Sequence, residues 1–540
     1  MRHIAVTPLI LLLGATAPAA PSPAPEIFAR WCSDLVDSND KTAILPGYGP
    51  GGFAIQTRSA EAQTFFTNGM QLGHAFAHKS AIAAFKEARR LDPDCAMCAW
   101  GEAWAAGPTL NYGVGPDERK RLAEIAAAAE KLSVGAPEKE RQLIAAMQLR
   151  YTDDAKQGNQ AFADAIVKMA AANPGDDALS VVAADALMIA SDYKPEKMAS
   201  PVALLEGVLK RSPDYAPAIH FYIHATELAG YPKRAEPFAD KLPTIAPAAS
   251  HLVHMPSHTY YGVGRYADAA TANVRAVELG MDNARRLKLA EPDGVWTLAY
   301  HAHNVHFGIG GALMSGDAEA GLKLARPMVA MAGRSGTLPM FRQAVLGNGF
   351  VAIARFAPPG EMLGIADPGK SNPVAQALWH YARGEAFARL DDAKAVRREA
   401  HAMAKRVEKD RSDGMIPAAF AVGRNVLEGR AAMLEGKNRR AVAFFARAAA
   451  IEEAKPLSES ADPPLWWYPV RRDVAAALLA EGDVWGALAA VDASLKRRPL
   501  DPVALAIRAH VEAKLGDAAA ARRDRKTAIA GWRGKRDITG

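Results

Sequence analysis

Short apolar stretches recur along the chain at helical spacing, broken by Gly or Asp, and β-branched runs are few. That pattern predicts helices throughout. The stretch AIAAFKEARRLDP, from Ala81 to Pro93, reads as a helix closed by Asp-Pro, and GRYADAATANVRAVELG reads as a turn followed by an alanine-spaced helix. Aligning the segment from Ser212 with the one from Ala246 puts Pro213 on Pro247, His220 on His254, His224 on His258 and Gly230 on Gly264, each at an offset of 34. Gly482-Asp483 and Gly516-Asp517 repeat that offset, and further turns are expected at Gly316-Asp317, Asp391-Asp392 and Gly436-Lys437. A helix hairpin of this length cannot bury its own apolar face, so neighbours must stack into a superhelix.

The period and the closing Asp-Pro resemble tetratricopeptide repeats over most of the chain. The resemblance implies an all-α solenoid, a right-handed superhelix of helix hairpins whose first helices line a concave groove. It also implies ligand contacts at the second, fifth, ninth and twelfth places of each repeat. The motifs HMPSHTY and HNVHFG are similar to those of a group of exported bacterial repeat proteins, a resemblance that implies no particular activity. Irregular spacing marks insertions from Pro108 to about Gly135, from Asp282 to Val295 and from Ala357 to Pro373. The expected organisation is a signal peptide (1–20), an N-terminal extension (21–60), repeats carrying a His-rich groove (61–356), a Pro/Gly-rich linker (357–374) and C-terminal repeats (375–540).

Histidine is the candidate chemistry. Eight of the fourteen histidines lie between His220 and His306. Counted from Ala216, the fifth, ninth and twelfth residues are His220, His224 and Glu227. Counted from Ser250, the four groove places are His251, His254, His258 and Tyr261, and a repeat starting at Ala302 puts His303 and His306 at its second and fifth places. Residues three, four and seven apart share a helix face, so three successive first helices present imidazoles to one wall. Imidazoles and a carboxylate suit a transition metal ion such as Zn, Fe or Cu. With an open coordination position, the ion would permit hydrolysis or oxidation, with Glu227 or Asp185 as proton acceptor. The competing reading is a metal-free scaffold whose groove binds a protein or peptide partner.

Other residues are candidates for the same groove. Trp100 and Trp104 fall at fifth and ninth places and could floor it. The segment DPPLWWYPVRR offers Trp466, Trp467 and Tyr468 between prolines, with Arg471 or Arg472 as an anion clamp. His78 and His380 are isolated.

Composition narrows the partners. The net charge is only +6, with basic residues interspersed among acidic ones on helix faces, which argues against nucleic acid. Arg2, the apolar run Pro8 to Leu13 and the small residues Ala17-Pro18-Ala19 read as a secretory signal cleaved near Ala19 or Ala20, giving a periplasmic or secreted protein. No later segment is apolar enough to span a bilayer, so the expected partner is a small-molecule or peptide ligand, or a periplasmic protein. Cys32, Cys95 and Cys98 allow Cys95–Cys98 or a bridge from Cys32 to either, or simple buried packing.

Overall fold

The computed structural model describes residues 42–407, 414–459, 463–535 and 538. The expected signal segment, Cys32 and Asp462 lie outside them. The described residues form α-helices and short 3-10 turns, with no β-strand among them. Consecutive helices pack as antiparallel hairpins stacked side by side, the architecture of a tetratricopeptide-like solenoid.

Eleven helices build or flank the site. They are α1 (Ala60–His74), α2 (His78–Leu91), α3 (Ala96–Ala105), α4 (Ala216–Leu228), α5 (Ser250–His254), α6 (Pro256–Val263), α7 (Tyr266–Arg286), α8 (His301–Ser315), α9 (Ala318–Arg334), α10 (Met340–Phe356) and α11 (Pro502–Lys514). The expected repeat starts at Ala216, Ser250 and Ala302 fall at the first or second residue of α4, α5 and α8. The Gly-Asp turns have a simple mechanism. Gly316 takes φ 73°, where the left-handed conformation ends α8, and the Asp317 carboxylate then accepts from the Ala320 N–H at 2.9 Å to cap α9. Asp483 and Asp517 cap the helices that follow Gly482 and Gly516 in the same way.

One first helix is broken. Pro256 has no N–H to offer the Leu252 carbonyl, so the helix divides into α5 and α6, and the His258 N–H turns to the Met255 carbonyl at 3.1 Å. His254 and His258 therefore flank a kink. Gly264, at φ 87°, ends α6.

The stack folds back on itself. The Tyr266 hydroxyl donates to the Pro499 carbonyl at 2.9 Å, and the Arg533 N–H donates to the Ser315 carbonyl at 2.8 Å. A Cβ on Gly264 would stand 2.3 Å from the Pro499 oxygen and one on Gly316 would stand 2.4 Å from the Trp532 ring, so both turns must be glycine for this contact to form. At the other end, the Ala248 N–H donates to the Gly47 carbonyl at 3.0 Å, tying the N-terminal loop to the central repeats.

Two expected insertions are more regular than their spacing suggests. Pro116–Leu132, inside the first, is a helix of seventeen residues with Pro at its first turn, and α7 runs on to Arg286, into the second. The segment 357–374 contains the short helix Pro359–Leu363, packed between α10 and the next helix, Pro373–Ala388. Cys95 and Cys98 are bonded to each other. No helix among the described residues is long and apolar enough to cross a membrane.

Candidate metal centre

Helices α4, α5, α6 and α8 bring six histidines into one line, five of them buried and His303 half-buried. His220 and His224 come from α4, His251 and His254 from α5, His258 from α6 and His303 from α8. Neighbouring rings along the line have centroids 4.7–5.5 Å apart, from His220–His224 at 5.0 Å to His254–His303 at 4.7 Å. Three overlapping groups hold nitrogen or carboxylate atoms within 4.8 Å of one another: His220/His224/His251, His254/His258/His303 and His224/Glu227/His258.

The protons of the second group can be placed. Asn273 on α7 donates its amide to the Ala269 carbonyl at 2.7 Å, which turns its Oδ1 toward His254 Nδ1, also at 2.7 Å. That oxygen only accepts, so His254 Nδ1 carries a hydrogen and its Nε2 a lone pair. Both oxygens of Glu227 stand 2.9 Å from His258 Nδ1, which fixes the same tautomer there. The two lone pairs then face each other, with His254 Nε2 3.0 Å from His258 Nε2, and His303 Nε2 lies 3.1 Å from His254 Nε2. Protonation is a poor remedy. Burial is the main cause that holds His254 and His303 well below the usual imidazole pKa, and neighbouring histidines push the same way.

The first group has a different solution. His220 Nδ1 stands 2.6 Å from the His74 carbonyl and so carries its hydrogen there, leaving a lone pair on Nε2. His251 Nε2 is 3.2 Å away, and His251 Nδ1 has no partner, so His251 is free to carry its hydrogen on Nε2 and donate. His224 Nε2 is buried without a partner.

Aromatic rings close over the line. Phe76, at φ 55° between α1 and α2, stacks on His251 with centroids 4.9 Å apart and meets His220 edge-on at 4.5 Å. Tyr300 lies 4.3 Å from His251, and Phe307 lies 4.3 Å from His258. His74 and His78 lie behind Phe76, and burial drives their pKa values down to about 3 and about 4. The same effect takes His220 to about 3, against the pull of the His74 carbonyl. The groove wall is thus covered, and Glu227, with 23% of its side chain exposed, is the most accessible member of the group with His258.

The remaining candidates sit elsewhere. His306 turns away from His303 toward Phe341, 5.6 Å between centroids, and is not among the grouped ligands. Asp185 is buried beside Arg150, and its pKa rises to about 7 because burial outweighs that charge. It does not join the histidines. Trp100 is fully buried, its indole donating to the Leu143 carbonyl at 3.0 Å, and Trp104 stacks beside it and touches His74, so this pair packs the N-terminal repeats instead of flooring a groove. Tyr261, Trp466, Trp467 and Tyr468 are buried where the C-terminal segment meets α6, and Arg471 is paired with Glu453 at 2.6 and 2.8 Å. His380 is bound to Glu399 at 2.6 Å, away from the line. Asn273, His74, Phe76 and Tyr300 were not anticipated. An Asn on the inner face of an alanine-rich helix was the only sign of the first.

No protein-family model matches the sequence, and no curated protein matches it. Among solved structures, the chain is similar to a human IFIT1 dimer with PPP-AAAA, at 13% identity and a TM-score of 0.31, covering 88% of this chain and 91% of that one. It is similar to Cut9 in an APC/C Cut9–Hcn1 hetero-tetramer, at 11% identity and a TM-score of 0.29, covering 88% and 74%. A third likeness is to a Naa15/Naa10 structure bound to HypK, at 14% identity and a TM-score of 0.24, covering 87% and 70%.

Proposed function

We propose that this chain is a helical-repeat metalloprotein that holds a transition metal ion between His254, His258 and His303. One observation carries the reading: His254 and His258 have their hydrogens committed to Asn273 and Glu227, so their Nε2 lone pairs face each other at 3.0 Å, and a hydrogen on His303 Nε2, 3.1 Å from His254 Nε2, can satisfy only one of them. Two nitrogens bound to one ion at about 2.0–2.1 Å lie about 2.8–3.4 Å apart for bond angles of about 90–110°. The spacings of 3.0 and 3.1 Å from His254 Nε2 fit that geometry. Asn273 and Glu227 occupy the place that outer hydrogen-bond partners of ligating histidines occupy in known sites, where they fix the tautomer and raise ligand basicity.

Three imidazoles suit Zn, Fe or Cu and leave an exchangeable position on the ion. Hydrolysis or oxidation of a small or peptide-like ligand is the chemistry such a position permits. Glu227 serves chiefly to hold His258, which weakens the alternative in which it is a direct ligand. The apolar N-terminal run and the Cys95–Cys98 bridge support export to an oxidising compartment.

Metal analysis of the purified chain after supplementation is the test. About one equivalent is expected, and its loss from a folded His254→Ala/His258→Ala variant would assign it. Less than about a tenth of an equivalent in the folded wild type would leave the metal-free scaffold as the better account.

A further inference from the structure

The segment from Pro463 to Arg472 gathers arginines in unequal states. Arg472 is 3% exposed and paired with Asp501 at 3.2 and 3.4 Å. Arg430 is paired with Asp473 at 2.9 and 3.2 Å and reaches Glu385 at 3.4 Å. Arg471 is held by Glu453. The anion clamp expected from the sequence at Arg471 or Arg472 is therefore already filled by the protein's own carboxylates.

Arg355, near the end of α10, differs from all of these. Among the described residues it has no carboxylate partner. Its guanidinium carbon lies instead 5.3 Å from the Trp467 ring and 5.9 Å from each of the Trp532 and Phe356 rings. Arg472 lies over the same Trp467 ring at 4.8 Å, and of the charges acting on Arg355 it is the strongest, with the Glu385 and Asp501 carboxylates acting the other way without pairing with it. Aromatic faces attract a guanidinium but do not neutralise it or take its N–H groups. Trp467 adds a second anomaly, because its indole N–H is buried with no acceptor. A guanidinium without a carboxylate thus lies over a ring whose indole N–H also lacks an acceptor, and Arg355 is only partly buried.

We infer that Arg355, held among the Trp467, Trp532 and Phe356 rings, forms a binding site for an oxyanion, the carboxylate or phosphate group of a ligand. The planar fork of Arg suits bidentate contact with either group, and the flanking rings hold that fork in place while excluding water from one side. The Tyr261 hydroxyl donates to the Trp467 carbonyl at 3.5 Å, and Tyr261 follows His258 by three residues on α6. Trp467 is thereby tied to the helix that carries His258, and the site does not depend on a metal there.

Intrinsic tryptophan fluorescence of the full chain, titrated with inorganic phosphate or with acetate at constant ionic strength, tests this. Saturable binding is expected, weakened at least about tenfold in Arg355→Gln. Phosphate alone as ligand points to a phosphorylated compound, acetate alone to a carboxylic acid, and both to a site selective for oxyanions in general. Should Arg355→Gln fail to fold, Arg355→Lys keeps the charge and loses the fork, and a drop of severalfold is expected from it. Wild-type chain that binds neither anion saturably, or a folded Arg355→Gln or Arg355→Lys variant that binds like wild type, would overturn the inference.

Discussion

The two histidine trios are built alike and behave differently. Each takes a pair spaced by four residues from one chain segment and a third imidazole from a neighbouring helix. Both are largely buried. What separates them is the group behind each ring. His254 and His258 are backed by Asn273 and Glu227, which accept the Nδ1 hydrogens and force two lone pairs together. In the first trio only His220 is pinned, by a backbone carbonyl, and His251 can close the gap with an ordinary hydrogen bond. A histidine cluster is thus read as a metal site only when the far nitrogens are accounted for, because they decide whether the near ones need a cation.

The comparison can be broken most severely by removing ligands. His254→Ala with His258→Ala should weaken metal binding by at least about 100-fold, measured by competition with a chelating indicator, since two of three bonds are lost. Acid should next loosen the other trio's end. His74 and His78 have folded pKa values of about 3 and about 4, below the ordinary 6.5. The unfolded chain therefore takes up protons first as the pH falls through about 6.5. Each contributes a loss of about 1.4 kcal/mol per pH unit, until the folded form titrates too. Urea midpoints of chelator-treated protein should fall steadily below pH 6.5, and a flat profile down to about pH 5 would argue that these rings are not held neutral.

Smaller effects sharpen the distinction. Glu227→Gln and Asn273→Leu leave all three ligands and disturb only their backing, so a metal affinity about 10–100-fold lower is expected. Retention of wild-type affinity in both would undo the tautomer argument. His220→Ala should change metal affinity at the second trio by less than about threefold, since His220 supplies no ligand to that trio. A larger loss would mean that the six histidines act as one unit.

Much of this fold was legible because its signals are local. Glycine at a helix end followed by a capping aspartate marks the hairpins at Gly316, Gly482 and Gly516, and a count of 34 from one anchor places the next. The same register picked out every member of both trios. It failed at His306, which shares the groove place of His220 and His254 but faces Phe341, because register places a residue along a helix without fixing which neighbour its side chain meets. It also failed at Trp100 and Trp104, where the N-terminal hairpins close over their own wall. The cover of the histidine line was invisible. His74 and His220 are 146 residues apart and meet through a backbone carbonyl, a contact with no sequence signature. Asn273 was hidden for a related reason, since it acts from a second helix that groove counting ignores.

The return of the C-terminal segment onto Gly264, Tyr266 and Ser315 changes how this chain should come apart. A repeat array whose units touch only their neighbours can fray from either end while its middle stays folded. Here the last hairpins brace the repeats that carry His258 and His303, so opening one end withdraws support from the centre. Amide exchange in α6 and α8 should accordingly keep pace with exchange in α11, as in a single cooperative foldon.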